Sequence, residues 1–484
     1  MSQPGLGGRA TIAVLWRGVD LAGTRVISLL RFLILARLLG PEDFGLLAIA
    51  AAALELLSTV TEIGVARALV QRADPSARDL DVGWTIGLLR ALAVTLVLVV
   101  AAPHLAGMLG DERATSLLRV LALQPVLAAL ESIAVTQLLR TLRFSALAAL
   151  DVGAAVVEAV AAIALARSLG VWALVTATLL SSGIRAVLSY RIAPHRPHLV
   201  LERAVVSSLM QFGKWVFAAS LLDAASDTVL RAVIGRRLGV EELGLFYVSA
   251  RLALLPIAVL SSLVTPVAFS IHAEVRAVQA RATRAFSTVV SGMVVVLAPV
   301  TGVLVALAGP LADDVLGRSW EGAGPVLALL AIDGFMTIPV EASEPMLEGR
   351  GRPDRVVLLR VLRAVSIVAL ASWLSGWLGL TGAALAALAA EAPVAVAALV
   401  FTRSLWWPAR TQLVLLLGAA IAAALVAGAT ALALEHLVPT TAGLGLGALF
   451  GTASGWMTLI LLDQRLGLQL DATVRALRNA AVRR

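Results

Sequence analysis

The sequence contains no cysteine, and this absence excludes two kinds of structure. No disulfide bond can hold the chain together, and no thiolate can bind a metal ion. Charged residues are also scarce, at 14% of 484 residues against about a quarter in soluble proteins. Hydrophobic residues make up 60% of the chain and the mean hydropathy is +0.93, so the polar surface of a water-soluble protein is missing.

Motifs of nucleotide-dependent and metal-dependent enzymes are missing as well. The chain has no GxxxxGK[ST] phosphate-binding loop and no HExxH zinc motif among its five scattered histidines. No connection between the hydrophobic segments is long enough to hold a soluble catalytic domain. We therefore predict a protein that is not an enzyme, binds no nucleotide and needs no cofactor or metal.

Long hydrophobic segments recur from one end of the chain to the other. A segment of about 18 residues or more can cross roughly 30 Å of hydrocarbon as a helix. The run 91–102, "ALAVTLVLVVAA", lacks the alternation of a barrel strand, which favours an all-α, polytopic helix bundle. We predict fourteen spans, with twelve as the alternative, at 11–39, 43–71, 80–105, 115–140, 146–167, 171–192, 207–238, 243–271, 284–310, 321–348, 355–377, 380–402, 411–435 and 442–463.

The net charge of +8 comes from arginines in the short connections, which argues against nucleic acid as a partner. Most of them fall on the side of the two termini, and such a bias marks the cytoplasmic side. We predict a multi-pass protein of the bacterial inner (cytoplasmic) membrane with both termini in the cytoplasm. The tail 465–484 is basic and amphipathic, and we expect it to lie on the anionic membrane lipids.

One polar turn occurs twice in the sequence. "RLLGPEDFGL" at Arg37–Leu46 returns as "RRLGVEELGL" at Arg236–Leu245, at a constant offset of 199 residues. Six spans separate the copies, so the two halves are parallel repeats, an arrangement found in transporters. The predicted domains are two six-helix bundles at 1–200 and 201–404, followed by two additional helices at 405–464.

The turn itself has two interpretations. It is either a tight connection with an exposed helix cap or a gate at the outer rim. The residues concerned are Arg37, Gly40, Glu42, Asp43 and Gly45.

Ionisable residues inside the predicted spans are concentrated in the first two spans of each half. A charge at membrane depth is costly unless it is paired or hydrated, so these residues either form ion pairs between helices or line a water-filled path. An arginine-rich path suits an anionic ligand, because guanidinium groups bind phosphate and diphosphate. The residues are Arg17, Asp20, Arg25 and Arg31 in span one, Glu55 and Glu62 in span two, Asp223, Asp227 and Arg231 in span seven, and Arg251 in span eight.

Two C-terminal patterns are also informative. Span ten carries an acidic stripe, Asp333 to Glu348, which is either a proton or cation site or a set of ion pairs with Arg360 and Arg363. Span fourteen has glycines at every fourth position from Gly443 to Gly455, which predicts close helix packing.

Three stretches resemble, in order and spacing, a known family of bacterial transporters. "LARLLGPEDFGLLAIA" (35–50), "EIGVARALVQR" (62–72) and "QLLRTLRFSALAALDV" (137–152) are similar to the first-half signature of Wzx-type polysaccharide or oligosaccharide-lipid flippases. These flippases belong to the multidrug/oligosaccharidyl-lipid/polysaccharide exporter superfamily. "EGRGRPDR" (348–355) resembles the corresponding second-half loop.

The resemblance implies a fold and a function. The expected fold is two six-span bundles around a central cavity, as in MATE transporters, plus two C-terminal helices. The expected function is to flip undecaprenyl-diphosphate-linked oligosaccharide to the outer face by alternating access, for lipopolysaccharide (O-antigen) or other surface polysaccharide, alongside polymerase and assembly proteins. On this view the diphosphate ligands are Arg17, Arg25, Arg31 and Arg251, and the organising or coupling acids are Asp20, Glu55, Glu62, Asp223 and Asp227.

Two alternatives belong to other classes. A cation-coupled exporter of drugs or metabolites would have the same architecture and is motivated by the acids of spans seven and ten. Its pocket should be acidic and aromatic, whereas span one is arginine-rich and aromatics make up 5% of the chain. The other alternative is a membrane scaffold of a polysaccharide assembly system.

Overall fold

The computed structural model describes residues 6–61, 76–140, 143–202, 214–274 and 279–466. Glu62 and the tail 467–484 lie outside these residues, and the side chain of Arg17 is outside the described part as well. Regular structure within the described ranges is helical, as predicted.

The first nine helices run from the start of the described chain to the repeat of the polar turn. Predicted spans five and six coincide closely with the single helices α7 and α8. The bounds are α1 Leu6–Leu38, α2 Pro41–Val60, α3 Ala77–Leu109, α4 Ala114–Leu121, α5 Gln124–Ala129, α6 Val135–Arg140, α7 Phe144–Leu169, α8 Val171–Ile192 and α9 Lys214–Arg237.

The remaining helices contain the second half and the two additional spans. Short helical segments lie between α12 and α13 and between α15 and α16. The bounds are α10 Val240–Ala253, α11 Leu255–Glu274, α12 Gln279–Ala306, α13 Ala323–Met336, α14 Ile338–Gly349, α15 Pro353–Phe401, α16 Arg410–Leu437 and α17 Thr441–Leu466.

The chain divides into two compact units, one ending at Val240 and the other beginning at Glu241. The first unit therefore includes α9, which packs against α2 and α3. The predicted domain ranges 1–200, 201–404 and 405–464 stay a prediction.

In the described residues, nine helices are long and apolar enough to cross a membrane, and the bent pair α10 and α11 makes a tenth. The charge-rich helices α1 and α9 are not among the nine, and the predicted span 115–140 consists of the short helices α4, α5 and α6. α15 counts once although its 49 residues would extend about 74 Å, more than twice the hydrocarbon thickness. These helices are consistent with the predicted fourteen spans, and that number stays a prediction.

Proline explains two breaks inside predicted spans. The helix axis bends by 44° between α10 and α11, directly before Pro256. The span 321–348 is divided at Thr337, two residues before Pro339. Proline lacks the N–H that would continue the helical ladder, so each span is a pair of shorter helices.

The glycines of α17 lie against neighbouring backbones. A Cβ on Gly447 would come within 2.8 Å of the Ala431 carbonyl oxygen in α16, and one on Gly451 within 2.6 Å of that of Ala427. Since real Cβ atoms essentially never approach so closely, the two helices can pack this tightly only through glycine. The predicted close packing of span fourteen is confirmed.

Candidate functional site

Three charged residues of α1 lie in different environments. Asp20 is buried and has an interaction partner, and its carbonyl oxygen accepts a hydrogen bond from Thr24. Arg31 forms an ion pair with Glu158 of α7, whose carboxylate also accepts a hydrogen bond from Thr178. Arg25 is exposed, and within the described part of the chain it forms no ion pair.

One ion pair joins an acid of α2 to an arginine of α9. Arg231 Nη1 lies 3.1 Å from Glu55 Oε2, joining α9 to α2. Asp223 and Asp227 are half-buried in α9, and each has an interaction partner. The ion-pair interpretation therefore describes Arg31, Glu55 and Arg231.

Sequence reasoning missed a charged cluster at Arg185 of α8. Its Nε lies 2.9 Å from Glu131 Oε2, between α5 and α6, and Nη1 pairs with Asp151 of α7. All three side chains are less than a third exposed. Each of predicted spans four, five and six contains one of these ionisable residues. Because the three residues lie on separate segments, their sequence positions do not show that they form a cluster.

The turn before α2 is built around Asp43. Its Oδ2 accepts a hydrogen bond from the Gly40 N–H at 3.3 Å, and its Oδ1 accepts one from the Val171 N–H at 3.2 Å. One carboxylate thus caps α2 and holds the start of α8. Gly45 lies against the backbone of Val240, where a Cβ would overlap the carbonyl oxygen.

An exposed ion-pair network covers this turn. Arg113 Nη1 lies 2.5 Å from Glu42 Oε1, and Nη2 lies 2.6 Å from Asp111 Oδ2. Hydrogen bonds from Arg113 hold the pKa of Asp111 below its ordinary value, and they hold the pKa of Arg113 above its own. Arg37 is exposed in the last turn of α1 and also has a partner. Glu42 and Asp43 therefore have well-defined structural contacts, while a gating role stays a prediction.

In the second unit, the acids of α14 and α15 are joined to arginines of α15. Arg360 Nη2 lies 2.5 Å from Glu344 Oε1, and Arg363 Nε lies 3.5 Å from Glu391 Oε2. The ion-pair interpretation is confirmed for Glu344, and Arg363 pairs with a residue outside the predicted stripe. Arg251 is exposed in the last turn of α10, and no ion pair involves it in the residues that the structure describes.

The loop after α8, which connects the two sequence halves, is fastened to the start of α3. Asp81 Oδ1 lies 2.9 Å from His195 Nε2 and accepts a hydrogen bond from the His198 N–H at 3.1 Å. Thr85 accepts one from the Val200 N–H at 3.1 Å. His195 and His198 thus help to hold this loop against α3.

The predicted spans therefore contain two kinds of arginine. Arg31, Arg185, Arg231 and Arg360 are neutralised by carboxylates, as structural ion pairs between helices. Arg25 and Arg251 are exposed on their helices and keep an uncompensated positive charge within the described part of the chain. The latter two can bind an anion without first breaking a salt bridge.

A family model described as "Polysaccharide biosynthesis protein" matches residues 34–325. Among curated proteins, the succinoglycan biosynthesis transport protein ExoT of Rhizobium meliloti (strain 1021) is 28% identical over 352 residues, 72% of this chain and 71% of that protein. The teichuronic acid biosynthesis protein TuaB of Bacillus subtilis (strain 168) is 23% identical over 342 residues, 70% and 71% of the two chains.

Among solved structures, the lipid II flippase MurJ in an inward closed conformation is similar in fold. The TM-score is 0.73 at 13% identity, and the match covers 94% of this chain and 99% of that one. The predicted all-α, polytopic membrane fold is confirmed.

Proposed function

The chain belongs to the polysaccharide biosynthesis protein family, and from this premise we propose that it flips a lipid-linked oligosaccharide across the membrane. The match to a succinoglycan biosynthesis transport protein over 72% of the chain is the observation that carries the proposal. The movement is alternating access, and the product serves surface polysaccharide synthesis. The protein acts as a transporter and catalyses no covalent reaction.

The cargo class follows from the uncompensated arginines. The lipid carrier is undecaprenyl diphosphate, whose two phosphates carry the charge that guanidinium groups recognise. Arg25 and Arg251 contact the diphosphate at different stages of transport, and Arg17 belongs to the same set by its place in the sequence. Arg31 holds α1 against α7 through Glu158.

The orientation follows from the arginine bias of the connections. Both termini lie in the cytoplasm of a bacterial cell, and the cargo enters from that side of the inner membrane. The cation-coupled exporter is less well supported, because Glu344 of its acidic stripe is neutralised by Arg360.

The test replaces Arg25 and Arg251, singly, with alanine and with lysine in a strain that lacks the chromosomal gene. Surface polysaccharide and lipid-linked oligosaccharide on the cytoplasmic face are measured at matched membrane abundance. We expect alanine to reduce export at least tenfold, because a charge-assisted hydrogen bond to phosphate is lost, and lysine to restore part of it.

Arg167 supplies the matched control. It is an exposed arginine in the last turn of α7, and in the described residues it forms no ion pair. We expect Arg167→Ala to export normally. Normal export by all four Arg25 and Arg251 variants would remove these residues from the cargo site, and normal export by the deletion strain would overturn the flippase proposal.

A further inference from the structure

The segment Arg403–Arg410 connects α15 to α16, and both helices are long and apolar enough to span the membrane. A connection between two spans lies where they leave the hydrocarbon, at the membrane–water boundary. Leu405 anchors it, because its side chain is fully buried in a core that includes Phe286 and Leu416. Trp406 adds a second attachment, since its Nε1 donates a hydrogen bond to the Leu399 carbonyl oxygen at 2.7 Å.

The neighbouring tryptophan points away from this core. Trp407 is 43% exposed, and two guanidinium groups lie over its ring. The distances from the guanidinium carbons to the ring centroid are 4.6 Å for Arg403 and 4.8 Å for Arg410. Arg410 Nη1 also donates a hydrogen bond to the Trp407 carbonyl oxygen at 3.2 Å. We name Arg403, Trp407 and Arg410 the Trp407 clamp.

The clamp concentrates positive charge. Within the part of the chain that the structure describes, no carboxylate forms an ion pair with Arg403 or Arg410. Because both groups lie over one ring, they are separated by less than about one Debye length at 0.1 M salt, and they repel each other. A third arginine is close, since Arg350 Nη1 lies 3.5 Å from Ser404 Oγ.

We propose that the Trp407 clamp binds the phosphate of an anionic phospholipid headgroup. Arginine forks bind phosphate oxygens in pairs, and a tryptophan at the boundary rests among the headgroups with its apolar ring toward the acyl chains. A free phosphate ion would use the arginines alone and would leave the exposed indole in water. The phospholipid is a permanent neighbour of the protein.

Trp407 itself is a suitable probe, because bromine atoms on a lipid acyl chain quench tryptophan fluorescence at contact range. The full-length protein is placed in bilayers containing dibrominated phosphatidylglycerol or dibrominated phosphatidylcholine. Subtracting the signal of Trp407→Phe isolates this residue among the ten tryptophans. We expect phosphatidylglycerol to be preferred at Trp407, and the preference to fall about fivefold for each arginine changed in Arg403→Gln and Arg410→Gln.

Two further variants and one competitor test whether the charge of the Trp407 clamp is responsible for the lipid preference. Arg403→Lys with Arg410→Lys keeps the charge and should keep part of the preference. Arg352→Gln is the matched control and should change nothing, because Arg352 is exposed and its Nε lies 3.2 Å from Asp354 Oδ1 in the first turn of α15. Equal quenching by both lipids, an unchanged preference in the double glutamine variant, or displacement by inorganic phosphate would each overturn the proposal. Loss of the phosphatidylglycerol preference in Arg25→Ala would show that the quenching depends on the proposed cargo site, and it would also overturn the proposal.

Discussion

Gly170 and Gly379 have almost the same backbone conformation at corresponding places in the two sequence halves. Gly170 lies between α7 and α8 with φ 56° and ψ −132°, and Gly379 divides α15 with φ 59° and ψ −136°. Each glycine joins the fifth predicted span of its half to the sixth. The internal duplication seen in the polar turn therefore extends to the backbone of a second turn that shares little sequence.

Both glycines have a positive φ, which other residues adopt only under strain. We predict that Gly170→Ala and Gly379→Ala each lower the free energy of unfolding by about 1–3 kcal/mol, measured as a lower apparent melting temperature in detergent. Gly379 has open space around its Cβ position, so a loss of stability in Gly379→Ala would come from backbone strain alone. Gly418→Ala in α16 is the control, since this glycine also has open space and is helical.

The control should be neutral or slightly stabilising, because alanine is the better helix former. If Gly170→Ala and Gly379→Ala have the same apparent melting temperature as Gly418→Ala, the two glycines are not in a strained conformation.

The break at Gly379 could be predicted from the sequence, because the two hydrophobic runs 355–377 and 380–402 are each of bilayer length. The glycine packing of α17 could be predicted for a similar reason, since the four-residue period lies within one helix. Both features depend on local spacing, and local spacing is what a single sequence displays.

The ion pairs that involve Arg185, Arg31 and Arg231 could not be predicted in the same way. Each joins residues that lie from 34 to 176 positions apart, so the pairing depends on which helices become neighbours. The pair between Glu344 and Arg360 could be predicted as one of two alternatives, because α14 and α15 are consecutive in the sequence and pack against each other. The sequence shows that a charge exists at membrane depth, and the tertiary packing decides which charges are neutralised.

Arg185 offers a test of that packing, because it balances two carboxylates. We predict that Arg185→Gln lowers the free energy of unfolding by on the order of 3 kcal/mol, since Glu131 and Asp151 are left as partly buried, unpaired charges. The measurement is the apparent melting temperature of the purified protein, compared with the wild type at the same lipid content.

The triple variant Arg185→Gln, Glu131→Gln and Asp151→Asn separates charge from packing. It replaces the same side chains by neutral ones of similar size, and we expect it to recover most of the lost stability. A triple variant that is less stable than the single one would show that the hydrogen-bond geometry, rather than charge balance, dominates.

The network over the polar turn makes a prediction about pH. Hydrogen bonds from Arg113 lower the pKa of Asp111, so the folded protein favours the charged carboxylate more than the unfolded chain does. This contribution to stability is fully present above the ordinary aspartate pKa of about 3.9, and it is lost as the pH falls through the lowered folded pKa. Asp111→Asn should therefore melt about 1–2 °C below the wild type at neutral pH, and the two curves should converge under acid conditions.

Asp313→Asn is the matched control for this comparison. Asp313 is exposed, and in the described residues it forms no ion pair, so its amide variant should follow the wild type at every pH. A difference between Asp111→Asn and the wild type that persists in acid would mean that the amide disturbs the turn by itself. If no difference exists at neutral pH, the Asp111–Arg113 contact contributes nothing to stability, because it is exposed and screened by solvent. The connection between α3 and α4 would then be held mainly by its backbone, in which Gly110 has a φ of 123°.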